Sequence, residues 1–224
     1  MLGLGSSISS SAASLGGFEL TNISGLTLWF KNSVGVAAAQ WDDSSGNDNH
    51  ATQGTGSEQG TTTGGEGGLV FDGGDFYEFS DVTATVFTAF FCVKPDDQDA
   101  AGLLGNADTT DFIKINHAGN EFRIKKDSGN TNKLHNMEPN VIDTSKQVLM
   151  VRQNTGDTIS FGIDDDIDTV AVSGSTARAI VLNQLMTGSG LFSGTLLEFA
   201  LYNSALSESE TTLVRENIAA RCGV

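Results

Sequence analysis

Short runs in which apolar and polar residues alternate recur along this chain, a pattern typical of half-buried β-strands. In residues 24–31 every second side chain from Leu26 onward is apolar, and residues 158–163 repeat this alternation. Residues 86–94 differ because they are apolar at nearly every position, as expected for a strand in the middle of a sandwich. The pattern predicts many short strands arranged in two packed layers.

Two β-hairpins are predicted from neighbouring runs. The first joins residues 112–116 to 121–125, and the second joins residues 148–153 to 158–163. Each crosses a four-residue turn that contains Gly and Asn, which tolerate positive φ. Because hairpins connect antiparallel strands, we expect antiparallel sheets.

One helix is predicted, and it ends the chain after an alternating strand at residues 193–202. Ser207 and Glu210 have the spacing of a capping box, in which each side chain satisfies a free backbone N–H of the other residue. Gly223 is the expected stop. The apolar side of the helix is formed by Leu213, Val214 and Ile218.

Composition supports one large all-β domain. The chain has 224 residues, with 27 Gly for tight turns and 13 Phe for a core. Residues 1–17 are almost entirely Gly, Ser, Ala and Leu, and are predicted to form a flexible N-terminal arm ahead of a domain at 18–224. Residues 42–68 are polar and predict a long surface loop.

The charge disfavours two classes of partner. The net charge is −16, so the surface repels both nucleic-acid phosphates and anionic membranes. No apolar run is long enough to span a bilayer, and the first basic residue is Lys31, which does not suit a signal peptide. These features predict assembly in a cytoplasm. Cys92 and Cys222 do not form a disulfide framework, although a bridge between them stays open as an alternative.

Three segments taken in order carry a family resemblance. They are Trp41-Asp-Asp-Ser-Ser-Gly-Asn-Asp-Asn-His-Ala51, Leu69-Val-Phe-Asp-Gly-Gly-Asp-Phe-Tyr-Glu-Phe79, and the ending from Gly194 to Glu210. With Phe87-Thr-Ala-Phe-Phe-Cys-Val-Lys-Pro95 they resemble the concanavalin A-like lectin/glucanase superfamily, in its laminin-G-like branch, over roughly residues 24–220. The resemblance implies an all-β fold, a two-sheet antiparallel jelly-roll sandwich with a short C-terminal helix.

The resemblance does not extend to a catalytic site. Glucanases of the superfamily carry an E-x-D-x-x-E strand that places two carboxylates in one cleft, and this chain has no such array. Glu198 stands alone between Leu197 and Phe199, so we expect it to be a buried or rim hydrogen-bonding residue. Relatives often have an Asp directly before this Glu, and in this chain Leu197 occupies that position. The resemblance therefore gives weaker support for a calcium site here. The sequence predicts that the protein is not an enzyme.

The candidate ligand-binding residues lie in the first two segments. The loop with Asp42, Asp43, Asn47, Asp48 and Asn49 offers oxygen ligands that suit calcium, with Asp43, Asn47 and Asn49 as the candidates. Asp and Asn also build turns unaided, and we favour that structural role. Trp41 and Tyr77 would stack on a sugar if exposed, whereas core packing is the commoner fate of such rings. No His or Cys spacing typical of a metal site occurs, and no cofactor other than calcium is suggested.

The start Met1-Leu-Gly-Leu-Gly-Ser-Ser-Ile8 is similar to the starts of small virion structural proteins of tailed phages. The first functional hypothesis is therefore a capsid decoration, knob or fibre component of a virion assembled in the host cytoplasm. In this hypothesis the arm contacts other virion proteins and supports a homo-oligomer. The sandwich is displayed on the outside of the virion, where it would bind surface glycans. The alternative is a carbohydrate-binding module of a bacterial surface or secreted protein.

Overall fold

The fold is a sandwich of two antiparallel sheets with one helix packed on its outside. A computed structural model describes residues 17–115, 121–128, 131–137, 142–155, 157–172, 179–186 and 190–224. Within these ranges the sheets have seven and nine strands. The predicted all-β sandwich with a C-terminal helix is confirmed. The predicted arm, apart from residue 17, and the tip of the first hairpin lie outside the described residues.

The seven-stranded sheet is built around the closing strand of the chain. Numbered in chain order and given in spatial order, its strands are β1 (Leu26–Phe30), β16 (Ser193–Tyr202), β7 (Phe87–Pro95), β12 (Gln147–Gln153), β13 (Thr158–Ile163) and β14 (Asp166–Ala171), with β5 (Leu69–Asp72) also pairing with β16. The predicted hairpin of β12 and β13 is confirmed, with Val151 opposite Phe161.

The nine-stranded sheet forms the other layer. In spatial order its strands are β11 (Thr131–Asn136), β10 (Glu121–Lys126), β9 (Phe112–Ile115), β8 (Ala101–Gly105), β15 (Ile180–Leu185), β6 (Tyr77–Ala84), β4 (Ala51–Thr52), β3 (Gln40–Trp41) and β2 (Val36–Ala37). The predicted pairing of β9 with β10 is confirmed, with Ile113 opposite Ile124. Residues 42–68 are not one unbroken loop, because Ala51 is buried and Thr52 pairs with Glu78 of β6.

Strand β7 shows how the core is divided. Phe87 and Phe91 point into the space between the sheets, where they join one apolar cluster with residues of both layers. Phe90 and Cys92 point the other way and join a second cluster beneath the helix. The prediction that this strand is apolar on both faces is therefore confirmed, because the other sheet covers one face and the C-terminal helix covers the other.

Helix α1 (Glu208–Cys222) covers the outer face of the seven-stranded sheet. Both hydrogen bonds of the predicted capping box between Ser207 and Glu210 are present. Gly223 ends the helix with φ +71°, a left-handed conformation that favours glycine. Val214 and Ile218 are fully buried against the sheet, so α1 is fixed over β7 and β12.

Candidate functional site

A cleft of about 560 Å³ opens beside the hairpin of β2 and β3. This volume lies within the range of small-molecule sites in proteins. Three separate stretches of chain form its walls: the turn after β1, the β2–β3 hairpin, and the glycine-rich segment before β5. The lining residues are Ser33, Gly35, Val36, Ala37, Gln40, Asp42, Thr62, Gly67 and Gly68.

Gln40 and Asp42 supply a polar pair on one wall. Gln40 Nε2 donates to Asp42 Oδ1 at 2.6 Å, and the side chain of Asp42 is about half exposed. The alternation of strand β3 directs Trp41 to the opposite side, into the core. Gly35 lies against the Asp42 side chain with φ +62°, and a Cβ at this position would lie 2.4 Å from Asp42 Cβ and 2.5 Å from Asp42 Oδ2. Only glycine fits beside Asp42 here.

The opposite wall, which is the glycine-rich segment before β5, is held to the turn after β1 by backbone and amide hydrogen bonds. Ser33 N donates to Gly67 O at 2.7 Å. Asn32 Nδ2 donates at 3.1 Å to Glu66 O and also, at 3.1 Å, to Leu197 O of β16. The wall is therefore tied to both the turn and the closing strand.

Glu66 joins this wall to two further elements by ion pairs. Its carboxylate contacts Lys146 Nζ at 2.6 Å and Lys94 Nζ at 3.3 Å. The hydrogen bond from Lys146 is the main reason that the pKa of Glu66 lies below its ordinary value, and the same bond raises the pKa of Lys146. Glu66 has φ +52°, a conformation uncommon for a residue with a side chain. Two ion pairs thus hold the glycine-rich wall in place.

A buried carboxylate lies behind the cleft. Glu198 is fully buried, accepts from Trp29 Nε1 at 2.7 Å, and receives Arg221 Nη2 at 2.5 Å and Nε at 3.0 Å. Asn32 N makes a longer contact with Glu198 at 3.4 Å. The predicted role of Glu198 as a hydrogen-bonding residue is confirmed, since its carboxylate is committed to these partners.

The two predicted aromatic candidates support the cleft from below. Trp41 and Tyr77 are fully buried, so neither ring presents a face to a ligand, and core packing is the role that the structure shows. Trp41 Nε1 donates to Lys31 O at 3.2 Å, and Tyr77 Oη donates to Ala38 O at 2.6 Å. Burial raises the pKa of Tyr77 to about 12, so its hydroxyl stays a donor at neutral pH.

Asp43, the next candidate, organises the loop between β3 and β4, which contacts β1 of one sheet and β6 of the other. Oδ1 accepts from the backbone N–H groups of Trp29 and Ser45, and Oδ2 accepts from Asn49 N and Ser45 Oγ, all at 2.7–3.1 Å. These bonds occupy both oxygens of the carboxylate. The favoured structural role is what the geometry shows for this residue.

Asn47 and Asn49 have comparable structural contacts. Asn47 Nδ2 donates to two carbonyl groups of β1, and the Asn49 side chain both donates to and accepts from the backbone of Ser80 in β6. Both residues also line a second depression, of about 340 Å³, which lies beside Asp81 and Asn203. Among the described residues, no three His, Cys, Asp or Glu side chains are grouped to hold a metal ion.

Several solved structures have a fold similar to that of this chain. Domain 4 of AbnA, an extracellular GH43 arabinanase from Geobacillus stearothermophilus solved with arabinotriose, is similar with a TM-score of 0.64 and 15% identity, over 85% of this chain and 98% of that one. A Trypanosoma rangeli sialidase has a TM-score of 0.58 and 14% identity, over 88% and 33%. The binding domain of Botulinum neurotoxin DC, solved with SialylT, has a TM-score of 0.56 and 11% identity, over 89% and 52%. The chain has a lectin-like β-sandwich fold.

Sequence comparison adds nothing to this likeness. No protein-family model matches the chain, and no curated protein matches it. The similar structures include parts of glycoside-cleaving enzymes and a binding domain, so the shared fold does not by itself decide between catalysis and binding. The described ranges contain no helix with the length and apolar character needed to cross a membrane.

The structural role of Asp43 gives a direct prediction. Asp43→Ala should lower the free energy of unfolding by about 2 kcal/mol, because part-buried backbone N–H groups of Trp29 and Asn49 lose their acceptor. Urea denaturation followed by tryptophan fluorescence measures this change. Asp48→Asn in the same loop is the control and should change stability by less than about 0.5 kcal/mol, since the Asp48 side chain is 97% exposed and Asn, like Asp, tolerates the left-handed φ of +55° at this position. Equal losses in the two variants would contradict the assignment.

The sequence does not predict Gln40 as a site residue, and it suggests Asp42 only as one oxygen ligand of the 42–49 loop, not as the partner of Gln40 in a cleft. One signal was available, because they flank Trp41 in a strand-like segment and therefore face away from the core. The glycine-rich wall was interpreted only as a surface loop, and nothing in the residue order shows that it faces Gln40 and Asp42 across a cleft.

Proposed function

We propose that this protein binds carbohydrate without cleaving it, and that the cleft beside the β2–β3 hairpin is the binding site. The observation that carries the proposal is the hydrogen-bonded pair of Asp42 and Gln40 on the wall of a cleft of sugar-sized volume, with the Asp42 side chain about half exposed. The lectin-like fold supports it, since one similar domain was solved with arabinotriose.

The chemistry of the lining suits sugar hydroxyl groups. A carboxylate such as Asp42 accepts two hydroxyl hydrogen bonds, while the amide of Gln40 both donates and accepts. Ser33 and Thr62 add hydroxyl groups, and Val36 adds apolar surface for the C–H groups of a sugar ring.

The carboxylates of the region favour binding over hydrolysis. Glycoside cleavage ordinarily uses two carboxyl groups that flank the scissile bond. Among the cleft-lining residues in the described part of the chain, Asp42 is the single carboxylate. Glu198 lies nearby but is fully buried and paired with Arg221, so it has no path to a substrate.

A glycan array followed by calorimetric titration tests the proposal. We expect binding to at least one glycan without turnover, and a loss of roughly tenfold or more in affinity for both Gln40→Ala and Asp42→Ala, because each removes hydrogen bonds to the ligand. Asp81→Ala, in the second depression, is the matched control and should bind like the wild type. Thermal melts confirm that each variant is folded. Unchanged affinity in both cleft variants, or release of free sugar, would contradict the proposal.

Display on a virion is a further proposal, compatible with glycan binding. It is motivated by the similarity of residues 1–8 to the starts of phage structural proteins. Those residues lie outside the described part of the chain. Mass spectrometry of purified virions tests this role, which would be excluded if the protein were missing from them.

A further inference from the structure

The two cysteines, far apart in sequence, belong to the same buried cluster between helix α1 and the seven-stranded sheet. Cys92 lies in the middle of β7 with its side chain on the helix side. Cys222 is the last residue of α1 and is 4% exposed. Both cysteines are free thiols in the structure.

Contacts on both sides of Cys222 fix it above Cys92. Glu198 lies opposite Cys92 on β16, and the neighbour of Cys222, Arg221, binds this same Glu198. On the β12 side, Val148 lies opposite Cys92, and Lys146 Nζ donates to the carbonyl oxygen of Cys222 at 3.0 Å. The end of the helix is thus fixed by strands on either side of Cys92. A hydrogen bond with the Cys222 thiol, together with burial, raises the pKa of the Cys92 thiol.

We propose that Cys92 and Cys222 form an intramolecular disulfide when the protein meets oxidised glutathione, and that this bond fastens α1 to β7. Two features of the structure favour Cys222 as the first to react. It is 4% exposed and lies in the last helical turn, directly before the exposed Gly223 and Val224, so it is the nearer of the two thiols to solvent. Cys92 lies at the centre of a sheet and is fully buried.

The exchange proceeds in two balanced steps. The Cys222 thiol loses its proton, and its sulfur attacks one sulfur of oxidised glutathione, breaking that disulfide and releasing one glutathione thiolate. The Cys92 sulfur then attacks the Cys222 sulfur of the mixed disulfide and releases the second glutathione thiolate. The two protons from the cysteines pass to the two glutathione thiolates. The cysteines are oxidised by two electrons and the glutathione disulfide is reduced.

The experiment uses the full chain, purified with reductant and then exposed to oxidised glutathione, both as folded protein and during refolding from guanidinium. Free thiols are blocked under denaturing conditions before mass spectrometry. We expect a monomer that is lighter by two hydrogens and carries no blocking group. Its digest should contain a peptide in which Cys92 is linked to Cys222. The oxidised wild type should melt about 5 °C above the reduced wild type, because the bond closes a long loop in the unfolded chain.

Cys92→Ser and Cys222→Ser are the controls for the linkage. Each single variant should gain at most one glutathione and show no rise in melting temperature. The comparison of oxidised with reduced wild type does not depend on these variants being folded. The proposal would be overturned if both thiols were still blocked after exposure of the folded protein and after refolding. It would also be overturned if both cysteines carried glutathione, or if only intermolecular dimers formed.

Discussion

Replacing Arg221 with Met is expected to lower the free energy of unfolding by about 3 kcal/mol, because the change leaves Glu198 as an uncompensated buried charge. Glu198 is fully buried, and Arg221 is its only cationic partner within hydrogen-bonding distance among the described residues. Trp29 Nε1 and Asn32 N would remain as donors, and two neutral donors do not replace a bidentate guanidinium. Urea denaturation of the two proteins at neutral pH measures the loss.

Arg215→Met provides the matched control for this prediction. Arg215 lies on the same helix and also pairs with a carboxylate, but its partner Asp165 is 88% exposed. Pairs with such an exposed partner contribute little, so this variant should lose less than about 1 kcal/mol. If the two variants lost the same free energy, burial of Glu198 would not be what makes Arg221 important.

Gly68→Ala is expected to cost about 3 kcal/mol or more, and the reason is steric. A Cβ at Gly68 would lie 1.9 Å from Leu196 O and 2.7 Å from Leu197 Cα, which are backbone atoms in the middle of β16. Backbone atoms of a paired strand cannot move aside as the end of a flexible side chain can, so the glycine-rich wall must shift instead. Thermal and urea unfolding measure the loss of stability.

Gly54→Ala is the control for Gly68→Ala, because a Cβ there would meet nothing within 4 Å. It should be neutral or slightly stabilising, since alanine reduces the freedom of the unfolded chain. If Gly68→Ala matched Gly54→Ala, the close approach of the glycine-rich wall to β16 would be contradicted.

Both predictions concern the support of one cleft. Arg221 holds Glu198, which contacts the backbone of Asn32, and the Asn32 side chain holds the carbonyl group of Glu66. Gly68 allows that wall to lie directly on β16. The C-terminal helix therefore contributes to the position of a wall that is distant from it in sequence.

Local features of the fold were readable from the sequence. The capping box at Ser207 and the doubly apolar strand β7 depend on neighbouring residues, and the structure confirms both. Several strands were not predicted, among them β8, β11, β14 and β15. Residues 101–105 form a short apolar run without alternation, and residues 131–136 are mostly polar because β11 is an edge strand.

The site was less predictable because it depends on pairings across the fold. A buried or rim position with hydrogen bonds was expected for Glu198 from its isolation between apolar residues. Its partner Arg221 follows from the docking of α1, which residue order does not show. The segment that begins at Trp41 was noticed as a motif. Its residues Trp41 and Asp43 are structural supports, whereas Asp42, from the same predicted oxygen-ligand loop, faces the cleft together with Gln40.

The most direct test of the central claim is the titration of ¹⁵N-labelled protein with the tightest-binding glycan from the array, followed by amide chemical shifts. The account predicts that the largest changes fall on Gly35, Gln40, Asp42, Gly67 and Gly68, the residues on the two walls of the cleft. Changes confined to another surface, or no changes with any glycan of the array, would contradict it.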